Sequence, residues 1–291
     1  MTEDGVEIGV FGGTGVYDMD ALEDVETRAF ETPYGPPSSD VRIGTVDGRR
    51  VAFLARHGAG HAHLPSEINY RANVYAFKQL GVSRVLSVGA VGSLREELPP
   101  RTLVVPDQFF DRTRHRADTF FGDGVVAHVS LTDPFSQPLR MALLQAAAGA
   151  GQPPFDGGTY VCMEGPQFST RAESVFYASI GGSVIGMTAL TEARLCREAE
   201  MAYGLLSLVT DYDAWRPHAD GVEAEEILAV LRDNAHVAAD VLRRAIPLVP
   251  EGPLPENQAL DTALVTRPEA IPAATRVRLA PLLARVQAAR G

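Results

Sequence analysis

The chain has 291 residues, 37 of them acidic and 26 basic, with 45% hydrophobic residues and a formal net charge of −11; that is the balance of a folded globular protein, too apolar to be disordered. The acidic balance argues against a broad nucleic-acid-binding surface, and no apolar run approaches the roughly 20 residues that span a bilayer, so neither nucleic acid nor membrane is an expected partner. With only Cys162 and Cys196, and acids rather than a basic region at the N-terminus, the sequence excludes a disulfide framework and a CxxC metal knuckle and points to a reducing, cytoplasmic setting.

Strands and helices alternate along the chain. Val6–Phe11 reads as a strand, followed at once by Gly12-Gly13-Thr14-Gly15. Arg50–Leu54 reads as a second strand, ending at Arg56-His57-Gly58. Helical spacing of Ile68, Ala72, Tyr75, Ala76 and Leu80 predicts a helix over 67–80, stopped by Gly81. Strands follow at 84–88 and 102–105, a helix at 137–148, a strand at 159–163 and a helix at 171–179. A short strand at 183–186, a helix at 189–200, an apolar strand at 202–209 and a long helix at 222–246 complete the pattern. Pro247 to Pro272 reads as proline-rich loop, and 272–289 as a terminal helix. This alternation predicts an α/β fold: a single domain with a central mixed, largely parallel sheet flanked by helices. The domain spans 1–246. Residues 247–291 form a C-terminal extension, packed on the same domain or on a neighbouring subunit.

In such sheets functional residues sit in loops at the carboxyl ends of strands. That places Thr14, Arg56, His57, Gly89 and Asp211 in candidate positions. The glycines of 12–15 allow backbone N–H groups to approach an anion, although a tight structural turn reads equally well. No Gly-Lys-Ser/Thr follows, and Asp18 stands where a dinucleotide fingerprint needs glycine. Arg56 beside His57 suits phosphate through charge-assisted hydrogen bonds. His57, His61 and His63 also have the look of a metal cluster, which a neighbouring arginine disfavours, or of plain structural histidines. In Glu164-Gly165-Pro166-Gln167-Phe168 a turn presents Phe168, either to a planar ring or to the core. Thr188, after Gly186-Met187, is a helix N-cap near Glu192 or a hydroxyl aimed at an anion. Asp211 and Asp213 follow a buried strand, where an acid is costly unless paired; they are proton donors or acceptors, or ordinary turn residues. Of the 26 basic residues only Lys78 is lysine, which reads as composition bias rather than as a phosphate device.

Taken in order, these pieces resemble one family. Gly12-Gly13-Thr14-Gly15, Thr32-Pro33-Tyr34-Gly35, Ala55-Arg56-His57-Gly58, Asn69-Tyr70-Arg71-Ala72-Asn73, Gly92-Ser93-Leu94-Arg95-Glu96-Glu97, Asp107-Gln108-Phe109, Glu164-Gly165-Pro166, Met187-Thr188 and Asp211-Tyr212-Asp213 are similar to the 5′-methylthioadenosine phosphorylases of the trimeric purine nucleoside phosphorylase family. The resemblance runs from about Gly5 to Ile246. It implies cleavage of a purine nucleoside's N-glycosidic bond by inorganic phosphate, without metal or organic cofactor, in a homotrimer or hexamer. It further implies that Thr14, Arg56, His57, Ala90 (through its backbone) and Thr188 hold phosphate. Phe168, Gly186 and Met187 would face base and ribose, with Asp211 and Asp213 at N7 and the exocyclic amino group. His128 would reach the sugar of a neighbouring subunit, and Ala224, Ile227 and Leu228 would line the pocket for the 5′ substituent.

The implied chemistry is physically coherent. A departing base leaves positive charge at C1′, which a phosphate dianion stabilises and then attacks. A shielded aspartic acid suits protonation of N7. Three positions depart from the family pattern: Gly89 where a threonine or serine is common, Gly186 where asparagine occurs, and Ala224 where a branched residue is usual. The alternatives are a phosphorylase for another 5′-modified 5′-deoxyadenosine or for a 6-oxopurine nucleoside, a metal-dependent hydrolase using His57, His61 and His63, and a non-catalytic nucleoside-binding protein.

Overall fold

Among the described residues eleven strands form one mixed sheet, and its hub follows from composition. The computed structural model describes residues 5–13, 22–216 and 224–290, with the side chains of 224–229, 231–234 and 290 outside the description. Thr14, Ala224, Ile227 and Leu228 therefore lie outside the described residues or side chains. The strands are β1 (Ile8–Gly12), β2 (Glu23–Arg28), β3 (Val41–Val46), β4 (Arg49–Ala55), β5 (Arg84–Ser93), β6 (Leu103–Val105), β7 (Gln108–Arg112), β8 (Phe155–Asp156), β9 (Thr159–Met163), β10 (Gly182–Gly186) and β11 (Ala202–Asp211). The helices are α1 (Tyr70–Leu80), α2 (Gln137–Gly149), α3 (Arg171–Ser179), α4 (Ala189–Glu198), α5 (Ala224–Ala245), α6 (Ala273–Arg278) and α7 (Ala280–Arg290).

β5 pairs parallel with β1 and β11 and antiparallel with β10, while β1 also pairs parallel with β4. Unbroken apolar runs make this centre possible: every residue of β1, and 202–210 of β11, is buried. One face packs under α2 and α5, where Leu139, Leu143, Val241 and Leu242 meet Ile8, Val10 and Leu206. The other packs under α1 and α4. The parallel strands β1, β4, β5 and β11 share one direction, so their carboxyl ends gather at one edge of the sheet.

Several boundaries move for local reasons. α1 starts at Tyr70 rather than 67, because the Asn69 side chain caps it by accepting from the Ala72 N–H. α3 starts where its Thr170–Glu173 capping box sets it. β2 has five of its six residues exposed and carries charge, so no apolar period marks it. The terminal helix expected over 272–289 is two helices, broken at the buried Leu279. Leu260, Leu279, Leu282 and Leu283 bury themselves in the cluster that holds α1 and α4. Arg285 adds an ion pair to the buried Glu200.

Candidate active site

A cavity of about 440 Å³ opens at the carboxyl ends of β4, β5, β10 and β11. It brings together Arg56, His57, Ala90, Phe168, Gly186, Met187, Thr188, Asp211 and Asp213. His128 is elsewhere, in a second depression with Gln108, Arg140 and Arg197, where its N–H donates to the Ala263 carbonyl.

Arg56 follows β4 and is 1% exposed. Its Nε and Nη2 donate to both oxygens of Glu192 on α4, with Nη2 to Oε2 at 3.2 Å. Nη2 also donates to Ser87 Oγ at 2.6 Å and Nη1 to the Val88 carbonyl at 3.0 Å. These bonds engage four of the five guanidinium N–H groups and leave one on Nη1. Burial works against the cation, but Glu192 outweighs it and holds the Arg56 pKa above its ordinary value. Ser87 and Tyr203 also donate to Glu192 Oε2, at 2.9 and 2.8 Å. Gly13 fits here sterically: a Cβ there would stand 2.5 Å from the Val88 oxygen and 2.8 Å from Arg56 Nη1. Gly13 therefore leaves the room in which Arg56 seats against β5.

His57 Nδ1 lies 2.9 Å from the His63 carbonyl, which only accepts, so Nδ1 carries the hydrogen and Nε2 is left for a ligand. Burial, together with Arg56, pulls its pKa down to about 3 against the opposing pull of the His63 carbonyl bond. The ring is neutral and stacks on His61 at 4.1 Å. Among the described residues no group of three His, Cys, Asp or Glu is placed to hold a metal ion. The histidine cluster of the hydrolase reading is thus a stack and a carbonyl bond.

Thr188 precedes α4 but makes no side-chain capping bond, so its hydroxyl is not used as an N-cap. Asp211 Oδ1 accepts from Thr210 at 2.6 Å, and its Oδ2 accepts from the Asp213 N–H at 2.8 Å. Asp213 takes a left-handed φ of 44° and is 6% exposed. Its Oδ2 is buried with no hydrogen-bond partner, an orphan that a ligand donor would satisfy. A Cβ on Gly92 would come 3.1 Å from Asp211 Oδ2, so glycine lets the carboxylates lie against β5. Val88 and Gly92 are four residues apart on β5, which separates the arginine end from the carboxylate end by about 13 Å. An anion and a nucleoside laid end to end fit that span.

Comparison with known proteins gives the family. Residues 7–247 match the profile of the phosphorylase superfamily. The chain belongs to the phosphorylase superfamily. It is 51% identical over 274 residues to an S-methyl-5′-thioadenosine phosphorylase of Koribacter versatilis, covering 94% of each chain. It is 52% identical over 280 residues to one of Chloroflexus aurantiacus, covering 96% of this chain and 97% of the relative. A crystal structure of a methylthioadenosine phosphorylase from an antarctic soil metagenomic library superposes with a TM-score of 0.90 at 46% identity, covering 97% of this chain and all of that one.

The departures in this phosphorylase have physical readings. A Cβ at Gly186 would overlap the hydroxyl of the buried Tyr160, so the tyrosine occupies the volume a side chain at 186 needs. A Cβ at Gly89 meets nothing within 4 Å, so this wall of the cavity is open where a hydroxyl is common. Phe168 is 42% exposed, at the cavity rim rather than in the core. Glu192, the residue that orients Arg56, was legible only as a possible capping acid one turn after Thr188. No helix among the described residues is long and apolar enough to cross a membrane.

Proposed function

We propose that the protein converts 5′-methylthioadenosine and inorganic phosphate to adenine and 5-methylthioribose 1-phosphate. The reading rests on one observation above the others: a single cavity joins the buried Arg56 to the orphan carboxylate oxygen of Asp213. Phosphate is held by the remaining Nη1–H of Arg56, the Ala90 backbone and the hydroxyls of Thr188 and Thr14. Monohydrogen phosphate donates its own hydrogen to Nε2 of the neutral His57. The phosphate then attacks C1′ as the bond to the base breaks and its electron pair moves onto the purine. Asp211 and Asp213 supply hydrogen-bonding and a proton at the N7 edge. Phe168 and Met187 cover base and ribose, and Ala224, Ile227 and Leu228 receive the methylthio group. An apolar lining there disfavours a free 5′-hydroxyl, which would lose its water partners.

The catalyst is the chain itself, with phosphate as co-substrate and no metal or organic cofactor. It works in the cytoplasm as a homotrimer, with His128 completing a neighbour's sugar site and 247–291 serving as an extension of the one domain. The decisive experiment is phosphate-dependent release of free base from methylthioadenosine, adenosine, inosine and a 5′-halogenated analogue. Methylthioadenosine is the best substrate, and chelators leave the rate unchanged. Equal kcat/KM for adenosine and methylthioadenosine would refute the apolar 5′ pocket. Asp211→Asn moves preference toward the 6-oxo base; unaltered preference overturns the role of Asp211.

A further inference from the structure

We propose that Arg116 is the positioning residue of the nucleoside half of the cavity, acting through two backbone segments without touching the substrate. The inference rests on the proposed nucleoside site.

Arg116 sits in the irregular stretch after β7, with its side chain 2% exposed. It does not line the cavity. Its guanidinium spans two segments that do. Nη1 donates to the Met187 carbonyl at 2.6 Å, and Nη2 donates to the Glu164 carbonyl at 2.7 Å. Nε donates to the Glu164 carboxylate at 2.9 Å. Longer contacts at 3.3 Å join Nη1 to Thr191 Oγ1 and Tyr70 Oη. Tyr70 donates in turn at 2.8 Å to the carbonyl of Pro65, which lines the cavity.

The two segments need such a tie. Each contains a glycine beside the bonded carbonyl, Gly165 at φ +69° and Gly186, and neither glycine has a side chain to anchor it. The Met187 side chain lies so close to Gly165 that a Cβ there would overlap its sulfur. A planar fork fixes two carbonyls in one geometry, whereas an ammonium is a point charge on a flexible stem. α4 joins the two halves of the site: Thr191 receives Arg116 and its neighbour Glu192 receives Arg56.

The test compares wild type, Arg116→Lys and Glu164→Gln. Hydrogen exchange is read on 163–168, 186–188 and 56–58, and KM is measured separately for each substrate. In Arg116→Lys, exchange rises in the first two segments and not at 56–58. Its nucleoside KM rises about tenfold, while phosphate KM, touched through Thr188 alone, rises only about two- to threefold. Glu164→Gln, which keeps both carbonyl bonds, shows the same selectivity at a few-fold and serves if the lysine variant does not fold. Unchanged exchange at 163–168 and 186–188, or equal rises in both KM values, overturns the inference. Wild type that releases no base from methylthioadenosine with phosphate refutes the functional reading instead, and the exchange data still judge Arg116.

Discussion

Glu192→Gln isolates what holds the arginine end of the cavity. The carboxylate is 2% exposed and accepts from Arg56 Nε and Nη2, Ser87 and Tyr203. Glutamine keeps the shape but turns one acceptor into an NH₂ group. Ser87 and Tyr203 can rotate their hydrogens away, whereas the guanidinium cannot, so an Arg56 N–H faces a donor. Removing one partner of a buried ion pair costs about 3–5 kcal/mol, because the other charge is left uncompensated. At about 2–4 °C per kcal/mol for a chain of this size, Tm falls by roughly 6–20 °C. A misaimed Arg56 also weakens a charge-assisted bond of about 1.5–3 kcal/mol, so phosphate KM rises by roughly 10- to 100-fold. Nucleoside KM changes far less. Thermal unfolding and kinetics with phosphate varied read both effects. A Tm within about 2 °C of wild type, with phosphate KM within about twofold, would refute the argument. The double variant Arg56→Met/Glu192→Leu separates the two effects: stability returns toward wild type while phosphate binding stays lost.

Glu198 is 7% exposed, and burial raises its pKa to about 7 although Thr119 and the Phe120 N–H donate to it. The folded protein therefore holds a proton that the unfolded chain releases above about pH 4.5. This contribution to stability is full below that pH, reaches at most roughly 3 kcal/mol, and is lost as pH rises through 7. Urea unfolding between pH 5 and 8 shows the decline, and Glu198→Gln flattens it; an equally steep variant refutes the assignment. Gly186→Ala drives a Cβ into the Tyr160 hydroxyl and costs about 1–3 kcal/mol by overpacking, which Tyr160→Leu partly restores. No gain in Tm from the second substitution would show that Tyr160 is not the obstacle. Gly89→Ser places a hydroxyl in open cavity space, so stability shifts by less than about 1 kcal/mol while phosphate or nucleoside KM falls. An unchanged KM for both substrates would mean the added hydroxyl reaches neither.

The residues that the sequence made legible share a position: each follows a strand. Arg56 and Asp211 stand at the ends of β4 and β11, whose parallel pairing carries them to one edge, so order in the chain predicts meeting in space; Thr188 follows β10, which runs antiparallel to β5 and returns to the same cavity beside Gly92. Glu192, Tyr160 and Arg116 follow no such rule. Glu192 occupies a helix, where an acid one turn from the N-terminus ordinarily serves the dipole or a cap, and only the fold shows that this turn faces Arg56. Tyr160 reads as one more core aromatic until Gly186 is seen beside it from a different strand. Arg116 was one arginine among many in an irregular stretch, and its partners stand 46 to 75 residues away in sequence. Short-range pattern thus locates groups that point at a ligand, because topology repeats. It misses the groups that aim them, because those are chosen by packing. That asymmetry fits the glycine departures: Gly89 widens the cavity directly, whereas Gly186 acts at second hand by making room for the hydroxyl of the buried Tyr160.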